Sequence, residues 1–135
     1  MNRQSNKITA IYARAGKGGY ESLAIVRQRQ TLTQYAQEHG LDNIEIFVDS
    51  GFNGTSDFRP AFQMLLNAIE RGEVANLVVL SLDRLYRDSV KCGDLVTETL
   101  SKYDVALYAV KDAISPKTPL VYFFPALSSF VGGEQ

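Results

Sequence analysis

Leu77-Val78-Val79-Leu80, followed at once by Ser81-Leu82-Asp83-Arg84-Leu85-Tyr86-Arg87, is the stretch on which the fold turns. Four consecutive apolar residues suit a strand buried on both faces, as a central parallel strand is. The polar segment behind it stands where open α/β sheets bind their ligands, outside the carboxyl ends of the strands. Upstream, Lys7-Ile8-Thr9-Ala10-Ile11-Tyr12-Ala13 reads as another buried strand, and the Gly-rich loop Gly16-Lys17-Gly18-Gly19 follows it. Residues 22–38 read as a helix with an apolar stripe of Ile25, Leu32, Tyr35 and Ala36, closed by His39-Gly40. Ile44-Glu45-Ile46-Phe47-Val48 alternates as a strand, and a turn-rich loop runs from residue 49 to 58. Pro60 suits a first helical position, Phe62, Leu65, Leu66 and Ile69 recur at helical spacing, and Gly72 ends that helix.

Downstream, Asp88-Ser89 offers a cap for a helix running to about Lys102, and Val105-Ala106-Leu107-Tyr108-Ala109 is a fourth strand. The regular alternation predicts an α/β fold: an open, mainly parallel sheet of four or five strands with helices on both faces and its first strand central. In the last apolar segment, residues 119–131, Leu120, Phe123, Phe124, Leu127, Phe130 and Val131 recur mostly at three- and four-residue steps. They mark one face of a terminal helix, which Pro125 would kink.

With 135 residues, 45% of them apolar and 21% charged, the chain has the balance of one soluble globular domain that needs no metal or disulfide staple. Cys92 is the only cysteine, so an intrachain disulfide is impossible, and the polar N-terminus carries no signal core. No apolar run approaches a membrane span. These features fit a cytoplasmic protein. The net charge of −1 argues against a broadly basic nucleic-acid surface, so any DNA role rests on a local arginine cluster or on another segment.

Such a cluster is predicted. Arg14 follows the first strand, Arg59 ends the loop after the second, and Asp83, Arg84 and Arg87 follow the third. Guanidinium groups from three separate parts of the chain would meet at one sheet edge, and their forked donors suit a phosphate. Arg59 stands directly before Pro60 at a helix N-terminus, where the macrodipole disfavours a cation. That placement points to function, although alone Arg59 would read as a solvated loop residue. Gln28 falls on the apolar stripe of its helix, and its plainer reading is a water-satisfied group at the stripe's edge. Arg84 and Arg87, three apart, would face the same way on a helical turn, and alone would read as a surface salt-bridge cluster with Asp83 and Asp88.

Taken in order, Tyr12-Ala13-Arg14, Gln28, Asp49-Ser50-Gly51-Phe52-Asn53-Gly54-Thr55, Arg59-Pro60-Ala61-Phe62-Gln63 and Leu82-Asp83-Arg84-Leu85-Tyr86-Arg87 resemble the catalytic domain of the serine site-specific recombinases, the resolvase/invertase family. The resemblance spans nearly the whole chain. The Gly-rich loop and residues 21–28 look most like the large serine recombinases of transposons. The resemblance implies DNA cleavage by a serine hydroxyl, a 5′-phosphoserine intermediate, strand exchange and rejoining. Because the bond energy stays in the covalent intermediate, it implies no cofactor, neither ATP nor a metal. Arg14, Arg59, Arg84 and Arg87 would contact the scissile phosphate, Asp83 would orient arginines or help proton transfer, and Gln28 would support the pocket. Residues 1–118 would form the catalytic domain, and residues 119–135 would begin a dimerisation helix on which Phe123, Leu127 and Phe130 face another subunit in a dimer or tetramer. The family's DNA-binding region would lie outside this chain.

The departure from the pattern is Gly16, which occupies the nucleophile position and has no side chain to attack with. Ser22 is the hydroxyl nearby in the same segment, at the start of the next helix. Three other readings compete with cleavage: a non-catalytic regulatory module of recombinase type, a receiver-like module, and a nucleotide-binding enzyme. The receiver-like module would need acidic strand ends, which are mostly arginine here. The nucleotide-binding enzyme would use Lys17-Gly18-Gly19, which lacks the later Gly-Lys pair of a phosphate-binding loop.

Overall fold

The structure, a computed structural model, describes residues 6–16, 22–50 and 59–118. Within them run β1 (Ile8–Ala15), α1 (Leu23–Glu38), β2 (Ile44–Ser50), α2 (Pro60–Glu70), β3 (Val74–Val79), a 3-10 turn (Leu82–Arg84), α3 (Ser89–Asp94), a π-helical turn (Leu95–Leu100) and β4 (Ala106–Ala109). The four strands form one parallel sheet in the order β2-β1-β3-β4, with β1 inside as its apolar sequence requires.

Side chains alternate across the sheet. Ile11 and Val78 point to one face and pack with Leu32 and Ala36 of α1. Ala10, Tyr12, Leu77 and Val79 point to the other, where Phe62, Leu65 and Ile69 of α2 and Leu95 and Leu100 of the π turn close a larger core. Helices therefore lie on both faces, and the alternation of elements fixes the layering.

Both long helices stop on glycine. Gly40 and Gly72 adopt φ of 69° and 75°, a left-handed conformation that costs a residue without Cβ little. The next amides turn back into the helix, Leu41 N–H onto the Ala36 carbonyl at 2.9 Å and Glu73 N–H onto the Ala68 carbonyl at 3.0 Å.

Several boundaries differ from the sequence reading, and β2, expected to give way to a loop at residue 49, runs on to Ser50. β3 begins at Val74, earlier than the apolar run, because the half-buried Asn76 finds a partner in the Thr9 hydroxyl (3.1 Å). β1 continues to Ala15, paired in register with β2 through Ala15↔Ser50. The expected single helix after Asp88 is α-helical only to Asp94 and then widens into a π turn, with Ser101 N–H on the Val96 carbonyl (3.2 Å). Gly93 lies inside that helix and its carbonyl accepts the Thr97 hydroxyl at 2.9 Å, a bond that competes with the regular ladder. Residues 119–135, with Phe123, Leu127 and Phe130, lie outside the described residues, as do residues 17–21 and 51–58.

Candidate functional site

The carboxyl ends of β1, β2 and β3 share one edge of the sheet, and Arg14, Asp49 and the 3-10 turn stand on it. The β1–β3 register ends at Tyr12↔Val79, so beyond that pair the Arg14 peptide groups need other partners. Gln28 supplies them. Its carboxamide is buried, and it accepts the Arg14 N–H at 3.2 Å while donating Nε2 to the Arg14 carbonyl at 3.0 Å. A polar residue on the apolar stripe of α1 thus takes over from a neighbouring strand; it is not the water-satisfied group of the plainer sequence reading.

The arginines are joined through backbone carbonyls. Arg84 Nη1 donates to the Arg14 carbonyl at 2.7 Å, and Arg59 Nη1 donates to the Arg84 carbonyl at 3.1 Å. Each of these two bonds uses a single guanidinium N–H and holds two cationic residues together without cancelling either charge. Two aromatic rings steady Arg59 further: its Cζ lies 3.9 Å from the Phe62 ring centroid and 5.2 Å from that of Tyr86, and the two rings meet edge to face. Burial lowers the Arg14 pKa, and the nearby charges of Arg59 and Arg87 lower it further. Gathering these positive groups costs electrostatic energy, and a bound anion would return it.

Asp49 anchors the same corner. It is 3% exposed and accepts three hydrogen bonds, from the Tyr12 hydroxyl (2.7 Å) and from the Ala61 and Phe62 amides (both 2.9 Å). Arg59, at the N-cap of α2, makes no side-chain cap of its own, so the carboxylate from β2 replaces it and also offsets the positive helix end. Burial first, then the hydrogen bond and charge of Asp49, hold the Tyr12 phenol above its ordinary pKa.

The structure therefore brings Arg14, Gln28, Arg59 and Arg84 together. Arg87 and Asp83 stand differently. The 3-10 turn ends at Arg84, so the expected shared helical face of Arg84 and Arg87 does not form: Arg84 turns inward, while Arg87 is exposed and acts on Arg14 through charge. Asp83 is exposed; its carboxylate accepts the Ser81 hydroxyl and sits 4.0 Å from Arg84 Nε. Of the surface-cluster alternative the Asp83–Arg84 contact is present, whereas Asp88 caps α3 by accepting the Val90 and Lys91 amides. Gly16 is exposed and directly follows β1. Continued alternation from Ala10, Tyr12 and Arg14 would put a side chain at position 16 on the arginine side of the sheet, whereas Ser22 accepts the Ile25 N–H as the cap of α1. Among the described residues no group of three His, Cys, Asp or Glu side chains is placed to hold a metal ion.

Three groups that form hydrogen bonds at the site received no role from the sequence. Asp49 and Tyr12 had a signal: an acid closing an alternating strand and a hydroxyl inside an apolar one. Asp112 had none, yet its carboxylate accepts the Leu82 N–H at 2.8 Å, at the head of the 3-10 turn.

A family model described as the N-terminal domain of resolvase matches residues 9–130. Among solved structures, the N-terminal catalytic domain of TP901-1 integrase is 30% identical, with 95% of this chain and 96% of that one covered and a TM-score of 0.76. A resolvase family site-specific recombinase from Streptococcus pneumoniae is 18% identical, with coverage of 93% and 89% and a TM-score of 0.70. The C-terminal catalytic domain of ISC1926 TnpA, an IS607-like serine recombinase, is 21% identical, with coverage of 90% and 80% and a TM-score of 0.60. The last two share the fold. No curated protein matches the chain.

Proposed function

The chain belongs to the resolvase family of serine recombinases, and we propose that its arginine corner is built to hold the scissile phosphate of DNA beside position 16. Site-specific recombination is the work of this family. In the reaction we assign to this architecture, a serine hydroxyl attacks phosphorus, the bond from phosphorus to the 3′ oxygen breaks, and the 3′ oxygen leaves with the proton that the serine gives up. The 5′ phosphate remains as a serine ester until the reverse attack rejoins the strands. Arg14, Arg59, Arg84 and Arg87 stabilise the charge on the phosphoryl oxygens, Asp83 assists proton transfer or orients arginines, and Gln28 supports the pocket.

The single observation that carries this reading is the chain of bonds from Arg59 to the Arg84 carbonyl and from Arg84 to the Arg14 carbonyl. It preorganises permanent cations at the sheet edge in a protein whose net charge is only −1. With Gly16 the attacking oxygen is missing, so this chain binds and aligns DNA without cutting it, and regulatory use of such a cleavage-dead domain is the second reading. Residues 1–118 act as the catalytic domain in the cytoplasm. Residues 119–135 lead into a dimer or tetramer contact through Phe123, Leu127 and Phe130.

The test is covalent capture of DNA by the full-length protein. Gly16→Ser should yield a denaturant-resistant DNA–protein adduct, and neither the Gly16 protein nor Gly16→Ala should. An adduct formed by the Gly16 protein and mapped to Ser22 would overturn the assignment of position 16.

A further inference from the structure

We propose that Asp112 is a positioning residue for DNA strand transfer: by holding the Leu82 amide it sets the 3-10 turn that carries Arg84 to the arginine corner. Asp112 lies beyond β4, 30 residues along the chain from its partner, and its half-buried carboxylate accepts the Leu82 N–H at 2.8 Å. From that point the bonds run in series. Arg84 N–H returns to the Ser81 carbonyl, Arg84 Nη1 reaches the Arg14 carbonyl, and the Arg84 carbonyl receives Arg59. Shifting Leu82 would therefore displace Arg84 together with the carbonyl that orients Arg59.

The loop that bears Asp112 is itself pinned. Ala109 and Ile114 exchange two backbone hydrogen bonds of 3.0 Å, and the Lys111 N–H donates to the Leu80 carbonyl at 2.7 Å, just ahead of the turn. Ala113 adopts φ of 56°, a left-handed conformation unfavourable for a residue with Cβ. A loop held in this strained form by bonds on both sides presents its acid from a fixed base. The Leu82 carbonyl is also engaged, facing the Cys92 thiol at 3.7 Å. Leu82 is thus gripped at both peptide ends while its neighbour Asp83 stays exposed.

This inference deepens the proposed function, and its activity arm rests on that reading. In the Gly16→Ser full-length protein, Asp112→Ala should slow adduct formation at saturating DNA about 10-fold and leave the half-saturating DNA concentration nearly unchanged. Asp112→Asn keeps an acceptor oxygen and should recover the rate to within about threefold. An Asn variant as slow as the Ala variant, a loss seen only in the half-saturating concentration, or an unchanged Ala variant would each overturn the proposal. Amide hydrogen exchange in the Gly16 protein gives a second arm that needs no cleavage. Asp112→Ala should speed exchange at Leu82 and Arg84 and leave Val78 in β3 protected. Equal loss at Val78 would assign Asp112 to general stability and overturn the positioning role. Absence of adduct in the Gly16→Ser parent would count against position 16, and the exchange comparison would still decide on Asp112.

Discussion

At the start of α1 the cap is local: Ser22 Oγ accepts the N–H of Ile25, three residues on, at 3.2 Å. At the start of α2 the N-cap residue is a cation, Arg59, and the acceptors come from Asp49 at the end of β2. Both helices follow strands that run to the same edge of the sheet. The local cap serves only its own helix. The remote cap ties α2 to β2 and, through the Tyr12 hydroxyl, to β1, and it frees Arg59 to lie over Phe62 and reach the Arg84 carbonyl. A helix end that takes its acceptor from a distant strand is thus joined to the candidate site, and its N-cap position is left free for a side chain with other partners.

Asp49→Ala gives the sharpest test of this contrast. It removes the acceptor of two helix amides and a buried hydroxyl, and should cost about 3 kcal/mol or more, a fall in Tm of roughly 10 °C. If urea denaturation shows a loss no greater than that of Ser22→Ala, the two caps are equivalent and the contrast is broken.

Tyr12→Phe probes the link to β1 alone and should cost about 1–2 kcal/mol at neutral pH. Its pH dependence has a definite sign. The phenol is held above its ordinary value of 10.0 in the folded protein, so above about pH 10 the unfolded chain releases a proton that the folded chain keeps. The stabilisation from Tyr12 is therefore complete below pH 10 and declines as pH rises past it. The stability gap between the natural chain and Tyr12→Phe should narrow in that direction. A gap that stays constant well above pH 10 would show that the hydroxyl is not held as described.

Ser22→Ala should have the smallest effect, about 1 kcal/mol, with amide exchange altered in the first turn of α1 and unchanged at Phe62 and Arg84. Disturbance of Arg84 by this variant would mean that the local cap also reaches the site.

The two arginines after β3 show how far the sequence could be read. Arg84 and Arg87 are three residues apart, and helical geometry places such a pair on one face. The 3-10 turn stops at Arg84, and the chain has left helical geometry before Arg87. The arginine content of that edge was legible, but the division into an inward Arg84 and an exposed Arg87 was not. Gln28 teaches the same lesson from α1: its place on the apolar stripe was visible, but its partner, the Arg14 peptide, was not.

By itself the sequence determined the period of the strands and of α1 and α2, the glycine stops at Gly40 and Gly72, the alternation that demands a parallel sheet with β1 inside, and the glycine at position 16. These are properties of residues within a turn or two of one another, or of a missing side chain, and they hold wherever the rest of the chain goes. Only the tertiary structure decided which donor meets which acceptor: Gln28 with Arg14 across 14 residues, Asp49 with Phe62 across 13, Asp112 with Leu82 across 30 and Arg84 with Arg14 across 70. Those pairings depend on strand order and register, which set where distant peptide groups lose their ladder partners. A buried group left without a partner must find another or destabilise the fold.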